Sequence, residues 1–152
     1  MKRFCLLVFF TLSCYTALAQ KVNSETEAIK NVINQLFDGM RKGDSTLVSE
    51  TFSKGVIMQS ISDQNGVIQV RSDDASGFLK AVGTPHSGIW DEQITFDHVL
   101  IDGNLASVWT SYKFFIGEKF SHCGVNSFQL VKKSDGWKIV YLIDTRRKEA
   151  CN

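Results

Sequence analysis

Apolar positions recur at helical spacing early in the chain and at alternate positions late in it, a change of period that predicts helices first and strands afterwards. Ile29, Val32, Ile33, Leu36, Phe37 and Met40 form one wide stripe, with Lys30, Asn31, Asn34 and Gln35 on the opposite side. Such a stripe is wider than a coiled-coil seam and needs a broad surface to cover. Ser24 and Glu27 have the spacing of a capping box and are expected to start this helix, which Gly43-Asp44 should end. A short second helix follows, with Leu47, Val48 and Phe52 as its expected buried residues. Val56 to Ile61 reads as a strand, Asn65-Gly66 as a tight turn and Val67 to Val70 as the returning strand. Ser72, Asp73 and Asp74 read as a further helix start, with Arg71, Asp73 and Asp74 as charges belonging to that start and nothing more. That helix carries Phe78, Leu79 and Val82 and closes at Gly83, before Pro85.

Past Trp90, four strand-like runs are separated by Asp102-Gly103, Gly117-Glu118 and Ser134-Asp135-Gly136. Turns this short make consecutive strands antiparallel neighbours. The order helix, helix, hairpin, helix, four-strand meander indicates an α+β fold, with helices covering one face of an antiparallel sheet. A strand as long as Leu105 to Ile116 must twist, and it will curl as one face wraps around the first helix.

Residues two apart on a strand share a face, and this sketches the interior. Phe128 and Leu130 are the surest core residues of the third meander strand, so Asn126, Gly124, His122 and Phe120 should point the same way unless a bulge intervenes. On the second meander strand Val108, Thr110, Tyr112 and Phe114 share one face, opposite Trp109, Ser111, Lys113 and Phe115. On the last strand, Val140, Leu142, Asp144 and Arg146 alternate with Trp137, Ile139, Tyr141 and Ile143. Both sets are mostly apolar, so parity alone does not choose. Asp144 and Arg146 are placed inward because Arg147 and Lys148 suffice for a solvent-facing end. Trp90, Trp109 and Trp137 read as packing residues, with Trp90 also suited to a cavity mouth.

The N-terminus stands apart from this pattern. Lys2 and Arg3 precede an apolar run from Phe4 to Leu12, and Ala17-Leu18-Ala19 supplies a small-residue cleavage site, the signature of a secretory signal peptide over residues 1–19. The run is too short for a membrane span of about twenty residues. Lipid attachment at Cys14 is the alternative, but Thr11-Leu12-Ser13 departs from the usual lipobox. Cleavage would remove two of the 17 basic residues and none of the 16 acidic ones, moving the formal net charge from +1 to −1. The mature chain, residues 20–152, then has no basic stripe for nucleic acid, no membrane span and the length of a single domain. It is expected in the periplasm or secreted. Of four cysteines, Cys123 and Cys151 would remain. In an oxidising compartment they invite a disulfide; the alternative is a buried thiol at Cys123 and a loose one at Cys151.

Several local signatures, taken in this order, resemble the nuclear transport factor 2-like superfamily, the cone-shaped half-barrel fold of ketosteroid isomerase and SnoaL-type cyclases. They are the first helix followed by Lys42-Gly43-Asp44 and Leu47 through Phe52, Asp102-Gly103-Asn104-Leu105-Ala106 entering the long strand, and Phe128-Gln129-Leu130-Val131-Lys132 followed by Gly136-Trp137-Lys138-Ile139. The resemblance implies a curved antiparallel sheet wrapped around N-terminal helices, a pocket between them, and a homodimer through the outer sheet face. It is nearly silent on activity, because isomerases, dehydratases, cyclases and binding modules share this frame. The residues that carry the isomerase reaction have no identifiable counterparts here, so no catalytic role is carried over.

A bowl lined by Tyr112, His122, Asn126, Asp144 and Arg146 has two uses. It suits an exported module binding a small apolar or carboxylated molecule, with Arg146 as anion partner. Alternatively it suits a cofactor-independent isomerase, dehydratase or cyclase, with Asp144 or His122 as base and Tyr112 donating to a developing oxyanion. Asp144 beside Arg146 also reads as a plain ion pair holding the end of the sheet. No cofactor motif is present, and His86, His98 and His122 lack the short ligand spacing of a zinc site.

Overall fold

The computed structural model describes residues 23–151. The signal peptide, its cleavage site and Cys14 lie outside the described residues. Helix α1 occupies residues 23–42 and α2 Ser45–Ser49. Strands β1 (Phe52–Gln64) and β2 (Val67–Asp73) form a hairpin, α3 (Ala75–Gly83) follows, and β3 (Trp90–Asp102), β4 (Leu105–Ile116), β5 (Lys119–Lys133) and β6 (Gly136–Thr145) complete the chain. The strands make one curved, unclosed sheet in the order β2-β1-β6-β5-β4-β3. Every neighbouring pair is antiparallel except β1 with β6, which run parallel from Ile57 opposite Tyr141 to Ile61 opposite Thr145. The fold is the expected α+β cone.

Local signals account for most element boundaries. Helix α1 is already running at residue 23, so Ser24 lies inside it and Glu27 pairs with Lys30 at 3.0 Å; the expected capping box is not the helix start. Asp44 caps α2 by accepting from the Leu47 amide, and Asp74 caps α3 by accepting from the Ser76 and Gly77 amides. Asn65 and Gly66 both take positive φ, as a two-residue hairpin turn requires.

The stripe of α1 is the centre of the core. Ile29, Ile33 and Leu36 are buried against Val108, Phe128, Leu130 and Ile139 of the sheet. Glu25 ties the helix to the same strands, accepting from Trp137 Nε1 at 2.8 Å and pairing with Lys132 at 2.5 Å. Gly39 sits where α2 crosses α1, and a Cβ there would lie 2.6 Å from Val48 Cγ2.

Three expectations about sheet faces need correction. The β4–β5 register shifts between Phe114 and Phe115, so Phe120 leaves the inward set and meets Phe115 on an exposed edge. Trp109 is 47% exposed on the outer face and does not pack in the core. On β6 both parity sets face inward, in different halves. Trp137 and Ile139 are buried, the register with β5 then shifts, and Leu142 and Asp144 take over the inner face. A bulge adds one residue to one strand and exchanges its faces.

Cys123, on the outer side of β5, is bonded to Cys151 with Cα atoms 5.8 Å apart. The bond fastens the tail beside the sheet, where Cys123 and Arg147 also exchange two backbone hydrogen bonds of 2.9 Å.

Candidate functional site

Between α1, α3 and the sheet lies a cavity of about 490 Å³. Its floor and one side are apolar, contributed by Leu36, Phe37, Met40, Phe78 and Leu142, and Trp90 and Phe114 stand at the far end with ring centroids 6.3 Å apart. Its polar wall is built by cross-strand register. Arg71, Ser60, Asp144, Asn126 and Thr110 are successive partners across β2, β1, β6, β5 and β4, and therefore share one face. A second row crosses Glu92, Phe114 and His122 on β3, β4 and β5.

Four of the five residues expected in the bowl line it: His122, Asn126, Asp144 and Arg146. Tyr112 stands behind them, its hydroxyl donating to the Thr145 carbonyl at 2.9 Å with Asp144 Oδ2 at 3.3 Å. Close approach of β5 to the end of β6 makes this possible, since a Cβ on Gly124 would lie 1.8 Å from the Thr145 oxygen and 2.8 Å from Tyr112 Cε1. Burial, with the charges of Asp144 and Glu92, pushes the Tyr112 hydroxyl far up, so it stays a donor.

Asp144 is heavily partnered. Ser60 Oγ donates to Oδ1 at 2.5 Å and Arg146 Nε to Oδ2 at 2.7 Å, while Arg146 Nη2 also reaches Ser60 Oγ at 3.0 Å. Asp73 Oδ2 lies 3.3 Å from the same hydroxyl, whose single proton serves the shorter contact to Asp144. Burial works against the Arg146 charge, but the hydrogen bond and charge of Asp144 outweigh it and hold the guanidinium protonated. Arg71 pairs with Asp73 at 2.9 Å. Arg71, Asp73 and Asp74 therefore line the cavity as well as flanking the α3 start, a correction to reading them as helix-start charges alone.

Glu92 was not among the sequence candidates, although Trp90, Glu92, Ile94 and Phe96 alternate on β3 and the parity was there to read. Asn126 Nδ2 donates to Glu92 Oε1 at 2.8 Å. The carboxyl keeps some surface toward the cavity yet lies deep in the molecule. Burial, aided by the Asp144 charge and opposed by Asn126 and Arg146, raises it to about 7. His122 accepts or donates at Nδ1 with Ser121 Oγ, 3.0 Å away, and packs against Phe114 with centroids 5.1 Å apart. Burial, then the Arg146 charge, lowers its pKa and keeps the ring neutral. Ser60 was also missed, because its place depends on the parallel β1–β6 pairing. Among the described residues no group of three side chains is arranged to hold a metal ion. No described helix is long and apolar enough to cross a membrane.

The family model described as "Putative lumazine-binding" matches residues 24–142, most of the described chain. The chain belongs to this family. No curated protein matches its sequence. Among solved structures, a protein of unknown function from Shewanella baltica OS155, described as NTF2-like, is 18% identical, with a TM-score of 0.64 over 83% of this chain and 96% of that one. An NTF2-like protein with a cystatin-like fold from Novosphingobium aromaticivorans is 11% identical, with a TM-score of 0.72 over 88% and 89%. A "putative ketosteroid isomerase" from Shewanella frigidimarina NCIMB 400 is 20% identical, with a TM-score of 0.56 over 77% and 94%. At these identities the likeness is one of fold: the chain has the curved α+β architecture of structures described as NTF2-like.

Proposed function

We propose that the protein is an exported small-molecule-binding module that holds a flat, largely apolar, uncharged ligand in the helix–sheet cavity. The observation that carries this reading is the division of the cavity into an apolar floor with aromatic rings and one polar wall, the pattern of a site that buries a ligand's body and orients it by few polar contacts. Four carboxyls, Asp73, Asp74, Glu92 and Asp144, face two guanidiniums, Arg71 and Arg146, each already paired to a carboxylate. That balance favours a neutral ligand over the carboxylated one suggested by Arg146 alone. Native mass spectrometry on protein recovered from its exported compartment tests the reading. Wild type should carry a small molecule that denaturing conditions release and that Arg146→Ala and Asp144→Asn retain poorly. A pocket that is empty in every sample would refute it.

Two further parts of the proposal have their own support. Export fits the cleavable leader in the sequence and a Cys123–Cys151 bond suited to an oxidising compartment; an N-terminus other than Gln20 in mature protein would count against it. Self-association through the outer sheet face fits the exposure of Trp109, Leu100 and Ile57 there. Sedimentation should show a dimer that Trp109→Glu converts to monomer, and a monomeric wild type would exclude it.

A second reading, a cofactor-independent proton-transfer enzyme, is favoured by one specific feature. Glu92, raised to about 7 by burial, is tuned for general acid–base work. Neutral His122 stands across Phe114 as a second proton-exchanging group. Turnover of a candidate ligand with solvent deuterium uptake, lost in Glu92→Gln, would establish it.

A further inference from the structure

We propose that the Cys123–Cys151 bond is a thiol–disulfide exchange site, and that its reduction by a dithiol releases the tail that seats Arg146 in the polar wall of the cavity. The exchange site stands on its own geometry; its consequence for a ligand rests on the binding-module reading.

The chain beyond β6 has little else to hold it. Residues 146–150 are exposed, and among the described residues none after Asp144 belongs to the buried core. The stretch is fastened along β5 instead. The Val125 amide donates to Thr145 Oγ1 at 3.1 Å, Cys123 and Arg147 exchange their two backbone bonds, and the disulfide closes the end. Arg146 lies inside this seam and its side chain turns the other way. Arg147, paired with Cys123, faces outward with it, whereas Arg146 Nε and Nη2 reach Asp144 and Ser60 in the cavity wall. The Arg146 amide adds one long bond of 3.3 Å to the Ile61 carbonyl. Hydrogen bonds at a solvated edge each contribute little net, because water replaces them. The covalent bond is therefore what keeps Arg146 in place beside Asp144.

The surroundings of the bond suit exchange. Cys123 is 2% exposed, whereas Cys151 is partly exposed, so an attacking thiolate reaches the Cys151 sulfur and Cys123 is the leaving group. Both cross-strand neighbours of Cys123 are cations, Lys113 on β4 and Arg147 on the tail. Directly opposed residues of this kind hold their Cβ atoms about 5 Å apart on one face of the sheet. Positive charge so near stabilises a thiolate and makes Cys123 a better leaving group.

The step balances with a dithiol as the reductant. One of its thiolates bonds to Cys151 Sγ while the bond to Cys123 breaks and Cys123 departs with the electron pair. The second thiol of the reductant then loses its proton, attacks its partner sulfur and displaces Cys151. The dithiol ends as a disulfide, and the two cysteines end as thiols that have gained two electrons and two protons between them.

Timed reduction of folded, oxidised protein with dithiothreitol at low salt, followed by alkylation and mass measurement, reads the exchange. Wild type should be reduced without denaturant. Lys113→Met keeps the stem but loses the charge, and should be reduced at least about threefold more slowly, with Lys113→Arg near the wild-type rate. Proton–nitrogen NMR spectra read the release of the tail. The Arg146 Nε–H signal, held by Asp144 in oxidised protein, should be lost to solvent exchange on reduction, and the Cys123 and Arg147 amide signals should move while those of Ile33 and Phe128 stay in place. Cys151→Ser should show the reduced spectrum with no reductant added. Resistance of the folded protein to the dithiol, or a Lys113→Met rate equal to that of wild type, overturns the exchange site. An Arg146 signal unchanged by reduction overturns the release of the tail. None of these readouts involves a ligand, so an empty cavity in native mass spectrometry would refute the binding-module reading without touching them.

Discussion

Replacing Glu92 by glutamine should make the protein more stable at neutral and alkaline pH while leaving it almost unchanged in acid. The unfolded chain releases the Glu92 proton near the ordinary value of 4.5, whereas the folded protein keeps it until about 7. Below the lower value both states are protonated, and above the higher one both are ionised. Between them the folded state alone holds the proton, so stability falls as pH rises through this window. The difference between the two values corresponds to about 3 kcal/mol of stability lost by pH 8, since each tenfold change in proton affinity is about 1.4 kcal/mol. A glutamine in this place has no proton to lose, and its carbonyl still accepts from Asn126. Asp144, Arg146 and His122 face the same cavity and Tyr112 stands behind them, but all four are present in both proteins and largely cancel in the difference. Chemical denaturation at intervals from pH 5 to pH 8 measures it. The stability gap in favour of Glu92→Gln should open by about 3 kcal/mol, or on the order of 10 °C in Tm. Parallel stability curves across that range would refute the burial of the carboxyl, and with it the tuned acid.

Other perturbations probe the supports of the site. Cys151→Ser frees the tail and removes a closure spanning 28 positions, so it should cost about 3 to 4 kcal/mol in denaturant titrations; no loss would mean that the bond does not form. Gly124→Ala drives a methyl group into the Thr145 carbonyl and the Tyr112 ring. It should cost about 3 kcal/mol or more, with loss of the near-ultraviolet tyrosine signal as β6 moves away. Tyr112→Phe deprives the Thr145 carbonyl and Asp144 of a donor and should cost about 1 to 2 kcal/mol in stability while the cavity stays open to ligand.

Local chemistry explains why so much of the fold was legible. The α1 stripe, the Asp44 and Asp74 caps and the Asn65-Gly66 turn each solve a problem within a few residues, so the sequence shows them directly. Short turns after Asp102, Ile116 and Lys133 force the meander. The misreadings came where structure depends on distant partners. The capping box at Ser24 and Glu27 had the right spacing, yet the helix continues through it. Strict alternation failed at Phe120 and in β6 because a bulge moves every later residue to the other face, and nothing in Val140-Tyr141 announces one. Ser60 became part of the site only through the parallel pairing of β1 with β6, strands separated by most of the domain. Glu92 is different: its alternation with Trp90, Ile94 and Phe96 on β3 was readable in the sequence.

Asp144 and Glu92 show why the site's chemistry follows from partners and not from residue type. Both are acidic, both face one cavity, and Asn126 sits in register with the first while donating to the second. Asp144 is held by Ser60 and Arg146, with the Tyr112 hydroxyl 3.3 Å away, and these contacts fix it as an anchor joining β1, β4 and β6. Glu92 receives one amide, and the neighbouring Asp144 charge adds to the cost of ionising it. Arg146 is committed to Asp144, so it relieves Glu92 only weakly. The ion pair at the end of the sheet thus has a chemical consequence beyond holding strands together. By concentrating the compensating donors on Asp144, it leaves Glu92 poised between its protonated and ionised forms, and so able to donate to a ligand or to take a proton from it.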